Sequence, residues 1–415
     1  MKYINRYIKK YNKFIKNNNK SITICIKIAI ILSLNIFVIK NILIFNNNSN
    51  INNLILNNKI NINGYNFSEI SKLKGINYLN LCLRKKNYKY HKLKENPKIT
   101  VIIPVFNCQK SIRLSLASIL NQKMEDFEII LVNDNSNDGS LRIINKMKKD
   151  DDRIKIINNH KNMGTLYSRC IGSLNAKGKY IFPLDNDDLF LDEDVFETIY
   201  NFESEYKYDI VEFKTFTIPN YHPQIKDIEE YYFNSHPNNL TLHQPELGIF
   251  PIFRNNTFGM NDYLIWAKCI KTNLYQKSVN TLGKKKYSIY NCWTEDISII
   301  FIIFNLATSF IFLNKYGVFH LNSKKTASFT LHTDHKTFTE IFLLDIIFDI
   351  LKERKKYKEF IVLKVYDVFN KIEYKKLTEV NKHFLISTLQ KIMNNKYVNK
   401  KYKILIKNKF NEFIS

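Results

Sequence analysis

ITVIIPVFN (residues 99–107), EIILVNDNSNDGS (128–140) and KYIFPLDNDD (179–188) decide the fold. Each is an apolar run of strand length that breaks into a polar loop. Ile and Val fill the runs without alternation, the pattern of strands buried on both faces. Arg153–Ile157 and Asp209–Phe213 have the same character. Helical-period segments lie between them, near 109–122, 138–149, 164–177 and 193–205. Strand and helix in alternation predict an α/β protein with a Rossmann-like, doubly wound sheet and helices on both faces. Four of the ten glycines, Gly139, Gly164, Gly172 and Gly178, fall inside this stretch, where backbone must turn sharply or pack closely.

Outside it the chain changes character. Residues 1–20 form a basic tail with seven Lys or Arg, and 21–45 are mostly apolar. Residues 46–65 carry only Lys59. That asymmetry predicts a signal anchor with a cytosolic N-terminus, hence a single-pass type II membrane protein of the Golgi or endoplasmic reticulum. Sequons at Asn47, Asn66, Asn239 and Asn255 agree with a lumenal chain. Residues 46–96 read as a stem whose second half is helical, and 214–260, with five prolines, as an irregular insertion. The uncharged run Ile297–Leu313 is short for a span and reads as a buried helix followed by a strand. Residues 331–415 read as a C-terminal α-helical appendage. The net charge of +25 is spread over the whole chain, which argues against a nucleic-acid site. Six cysteines without CxxC spacing argue against thiolate metal chemistry.

The loops carry the chemistry. Pro104–Asn107, Asn133–Ser140 and Asp185–Asp188 all follow strands and so gather at one edge of the sheet. With strand order 3-2-1-4 they line a single crevice, the ligand site of open α/β sheets. Asp134 at a strand end suits a hydrogen bond from a base ring N–H, or else is an Asx-turn residue of a tight loop.

In order and spacing, these segments and NMGTLYSRCIGSLNAKGKYIFPLDNDD (162–188) resemble glycosyltransferase family 2 across about 90 residues. Weaker similarity runs on through WAKCIKTNLY, WTEDISIIF and GVFHLNSKKTASF to about residue 330, giving a domain over 97–330. The resemblance implies the GT-A fold, with a mixed sheet. It also implies transfer of one sugar, by inversion, from a nucleotide-diphosphate sugar, expected to be UDP-linked, to a glycan, protein or lipid hydroxyl. Pro104, Phe106, Asn107, Asp134, Asn162, Gly164, Arg169, Asp185 and Asn186 would bind the nucleotide sugar. Asp134 stands where the family contacts uracil, although Asn133 replaces the family's frequent Asp before it. Arg169 suits the diphosphate. Asp187 and Asp185 of the DxD, with His320, would hold Mn²⁺ or Mg²⁺, and Asp188 would support the loop. Asp296, the second acid after Thr294, would be the general base. Trp266 and Trp293 suit either sugar stacking or the core. No QxxRW motif of processive synthases is present. A nucleotidyltransferase would need a Gly-rich basic loop after the first strand, which Pro104–Asn107 lacks. The remaining alternative is a catalytically silent sugar- or nucleotide-binding protein of the same fold.

Overall fold

The computed structural model describes residues 77–78, 81–82, 90–219, 241–243, 253–254, 257–258, 264–290, 295–322, 333–350, 379–396, 398 and 400–414. Strand β1 (Ile99–Val105) is buried along its whole length and lies between β2 (Phe127–Asn133) and β4 (Tyr180–Pro183), parallel to both. Strand β3 (Ile154–Asn158) extends the sheet beyond β2, so the order 3-2-1-4 is as expected. The sheet continues past β4 through β10 (Lys268–Lys271), β6 (Ile210–Pro219), β11 (Ser309–Asn322) and β5 (Leu189–Phe190). Strand β10 runs antiparallel to both neighbours and β6 parallel to β11, which makes the sheet mixed. Strand β7 (Thr241–His243) pairs with β11, and β8 (Phe253–Arg254) with β9 (Thr257–Phe258).

Period-two alternation along β1 divides the core into two layers. Ile99, Val101, Ile103 and Val105 face α1 (Ile112–Leu120), α2 (Ser140–Asp150) and α4 (Val195–Tyr206). Ile102 faces the opposite layer, built on α3 (Thr165–Leu174), α5 (Thr272–Leu282), α7 (Glu295–Leu306) and α8 (Thr333–Ile350). Helices on both faces confirm the doubly wound reading. The short α6 (Lys284–Tyr287) follows α5. In α3, a Cβ on Gly172 would stand 2.6 Å from Ile102 Cγ2, so glycine is what lets helix and strand approach. Leu166 and Cys170 are buried there as expected, whereas Leu174 is exposed.

Every residue of α7 from Ile297 to Phe304 is buried, as befits a helix apolar on all sides. At 12 residues it spans about 18 Å, well short of the ~30 Å of a bilayer core. The helix-then-strand reading of this run therefore holds. The localisation expected from the sequence is corrected: among the described residues no helix is long and apolar enough to cross a membrane. The segment expected as an anchor, 21–45, lies outside the described residues, as do most of 46–96 and of 214–260. From the second half of the expected stem, residues 77–78 and 81–82 are helical, and the Tyr78 hydroxyl donates to the Ser118 carbonyl at 2.7 Å. The C-terminal helices α8, α9 (Glu379–Asn394) and α10 (Lys400–Ile414) are present, and Phe342 and Ile346 of α8 belong to the core. Lys286 and Lys391 add ion pairs to Asp345 and Asp349 of α8.

Glu203 on α4 is wholly buried, and burial first, then the Asp209 charge, pushes its carboxyl up to about 7. Between about pH 4.5 and 7 the folded chain thus holds a proton that the unfolded chain has released. Stability linked to Glu203 is full below that window and lost as pH rises through it. Glu203→Gln is expected to raise the Tm by several degrees at pH 8, on the order of 3 kcal/mol, and by nothing at pH 4. Melting curves at the two pH values check this.

Candidate active site

The rim forms where β1 loses a neighbour. Its last pairing with β4 is Ile102↔Pro183, while pairing with β2 continues to Val105↔Asn133. Pro104 stands beyond the β4 ladder, and its carbonyl accepts a hydrogen bond from Asn186 Nδ2 at 2.9 Å. The strand end is thereby tied to the DxD loop. On the other side, the Asp134 N–H donates to the Val105 carbonyl at 2.8 Å. Asn107 adopts a left-handed φ of 48°, and its Oδ1 accepts from the Asn137 N–H at 3.0 Å. Phe106 beside it is 42% exposed, a ring face open at the rim.

Asp134 is buried and well supplied with donors. It accepts from Asn159 Nδ2 at 2.7 Å and from the Met163 and Gly164 N–H groups, each at 2.8 Å. It therefore fastens the β3–α3 loop to the end of β2, using three of about four lone-pair positions. Asn162 Oδ1 also accepts from the Gly164 N–H, at 3.1 Å, and Gly164 turns the chain into α3 with φ 89°. Asn159 was not singled out in the sequence, since one more Asn in an Asn-rich chain carries no signal.

Five residues into α3 stands Arg169, buried and facing carboxylates rather than solvent. Its guanidinium donates through Nη2 to Asp185 and through Nη1 to Asp296, and Glu295 lies 3.7 Å away. Burial disfavours the guanidinium charge, but Asp296, Asp185 and Glu295, in that order, outweigh it and hold Arg169 protonated. The sequence marked Arg169 as a diphosphate contact; the structure gives it three protein carboxylates as partners instead. One side chain thus joins the first Asp of the DxD to the acid at the start of α7. The carboxyls keep much of their burial: Asp296 is pushed up to about 6, with Arg169 opposing, and Glu295 to about 8.

The other half of the DxD meets β11. Antiparallel pairing of Phe190 with Val318 and Leu189 with Phe319 brings His320 opposite Asp188. His320 Nδ1 lies 2.9 Å from Asp188 Oδ1. Burial lowers the affinity of His320 for a proton, but Asp188 outweighs it and raises the imidazole to about 9. Asp187 is pushed up to about 7 by burial and by the neighbouring Asp188 and Asp185. Trp266 is buried and stacks on His320, with centroids 4.8 Å apart and planes at 12°, so it is a core ring. Trp293 and Thr294 lie outside the described residues.

Among the described residues no three His, Cys, Asp or Glu stand ready as a cation cage. Asp185 is engaged by Arg169 and His320 Nδ1 by Asp188. The donor chemistry nevertheless fits a hard divalent cation. Carboxylate oxygens predominate, and Asp187 is held by burial, and then by Asp188 and Asp185, where its charge is disfavoured and a cation would favour it.

A mixed, doubly wound sheet with a DxD at the end of β4 and an acid-led helix beside it defines a GT-A protein. Residues 100–263 match the family model described as "Glycosyl transferase family 2". The chain is similar to the cholesterol galactosyltransferase of Borreliella burgdorferi, 30% identical over 244 residues, 58% of this chain and 64% of the relative. It is also similar to glycosyltransferase GlyA of Streptococcus pneumoniae, 31% identical over 192 residues, 45% of this chain and 26% of the relative. The chain thus spans less than two thirds of either relative. The fold resembles that of S. aureus TarS residues 1–349, solved in complex with UDP-GlcNAc, with a TM-score of 0.53 at 15% identity over 76% of this chain and 88% of that one.

Proposed function

We propose that this protein transfers one sugar from a nucleotide-diphosphate sugar, UDP-linked, to an acceptor hydroxyl in a single inverting displacement. The observation that carries the reading is Arg169, whose guanidinium binds Asp185 and Asp296 at once and so brings donor loop and base to one rim. The TarS structures with UDP-GlcNAc and with UDP support a uridine nucleotide.

In this reading the nucleotide lies along the ends of β1 and β2, where Phe106 offers its ring and Asn107, Asp134, Asn162 and Gly164 shape the wall. Asp296 takes the proton from the acceptor hydroxyl as that oxygen bonds to the anomeric carbon. The bond from that carbon to the β-phosphate oxygen breaks, and its electron pair leaves with UDP. A carboxylate pushed up to about 6 is still ionised at neutral pH, yet more basic than a solvated one. Arg169 aims it and spreads positive charge towards Asp185. Mn²⁺ or Mg²⁺, held by Asp187 with Asp185 and His320, would neutralise charge on the departing diphosphate. The acceptor is a hydroxyl of a glycan, protein or lipid.

The test is a panel of nucleotide sugars incubated with the full chain, with Mn²⁺, with Mg²⁺ and with chelator, monitored for nucleotide diphosphate release and sugar transfer. Turnover with a UDP-sugar and its loss with chelator are expected. Nucleotide-sugar binding without any turnover would instead identify a silent binding protein of this fold.

A further inference from the structure

Lys268 on β10 and Glu212 on β6 are paired in register, and both side chains are wholly buried. Lys268 Nζ lies 3.0 Å from Glu212 Oε2 and donates to the Leu264 carbonyl at 2.5 Å. Taking two charges into a sheet centre costs several kcal/mol per ion, and apolar side chains of similar volume often serve stability as well or better. Stability alone is therefore a weak reason for this pair. Its third contact gives a better one, because Leu264 opens the turn 264–267 that leads into β10.

That turn is held under strain and faces the site. Ala267 has a left-handed φ of 59°, a conformation that a non-glycine residue keeps only where its surroundings impose it. The Ala267 carbonyl accepts from the Phe213 N–H at 3.0 Å, which adds a second tie to β6. Between these ties the turn presents two groups to the rim. The Ile265 N–H faces Asp296 Oδ2 at 3.5 Å, and the Trp266 ring stacks on His320.

We propose that the Lys268–Glu212 pair is a positioning device: it clamps the turn 264–267 so that Ile265 and Trp266 hold Asp296 and His320 in their working orientations. Its effect on rate rests on the glycosyl-transfer reading; its effect on the turn does not. Neither residue touches substrate, so both act through the turn.

The experiment compares Lys268→Met with the double variant Glu212→Leu/Lys268→Met in the full chain. The single variant takes the Lys268 charge away from buried Glu212 and is expected to lose Tm and rate together, as a purely structural residue also would. The double variant removes both charges and is expected to regain Tm. Under the proposal its kcat stays about a hundredfold below wild type, because the turn is unclamped, while KM for the UDP-sugar moves less than about threefold. The second readout is the Trp266 indole N–H resonance, assigned with Trp293→Phe in this two-tryptophan chain and recorded well below each variant's Tm. It is expected to stay displaced in both variants. A double variant with wild-type kcat and a wild-type indole resonance would overturn the proposal. If the wild type itself turns over no nucleotide sugar, the functional reading fails, and the indole resonance alone decides the clamp.

Discussion

Asp296→Asn is expected to lower kcat by between about a hundredfold and ten-thousandfold, the range that positioned acid–base groups supply. Asn keeps the shape of the side chain and can still meet the Ile265 N–H, but it cannot accept a proton. Donor binding should survive, because Asp296 contacts Arg169 and the turn rather than the wall at β1 and β2. A kcat loss with little change in KM for the donor marks a group that acts in the transition state. The wild-type pH profile supplies the companion result. Burial, opposed by Arg169, holds the Asp296 carboxyl at about 6. The base works only when ionised, so kcat/KM should fall as pH drops through that value. A variant that keeps wild-type turnover would move the role of base elsewhere.

Arg169→Met should be the more damaging change to the whole molecule. The guanidinium is buried among Asp185, Glu295 and Asp296, and Met removes the cation while leaving three acids in place. Breaking a buried pair in this way costs about 3–5 kcal/mol. The freed carboxyls would take up protons, so the acid limb of any residual activity should shift to higher pH. Arg169→Lys should restore part of the stability but not the turnover, because an ammonium cannot bridge two carboxylates with a planar fork. Denaturation midpoints and pH profiles of both variants check the pair of results. A wild-type midpoint for Arg169→Met would show that the three-carboxylate cluster is less buried than its geometry implies.

Much of this site was legible in the sequence, for definite reasons. β1 to β4 are mainly apolar runs bounded by polar loops, so their positions followed from pattern, while their order was expected from the habit of nucleotide-binding sheets. Asp134, Asp185, Asp187 and Asp296 follow strands or open a helix, where carboxylates reach a rim. The legible part stops where elements are short or polar. β5 and β10 have two and four residues, too few for a period. Lys268 and Glu212 look like solvent-facing strand positions until β6 and β10 are seen side by side. Arg169 was read as a ligand contact because the family resemblance implies one there and its charge suits a diphosphate, and nothing local shows that Asp296, 127 residues later, will meet it. The apolar run at 297–313 was resolved correctly by its length.

The register Ile210↔Phe310 closes the sheet over one hundred residues of chain. Contacts that distant form late, and a chain leaving the ribosome folds its N-terminal part first. β1 to β4 can pair as soon as residue 183 has emerged, which completes the nucleotide wall. Asp296 arrives only with α7, and His320 only after β11 has been made and has found β6. If the proposed function holds, a nascent protein has a seat for the donor before it has the means of using it.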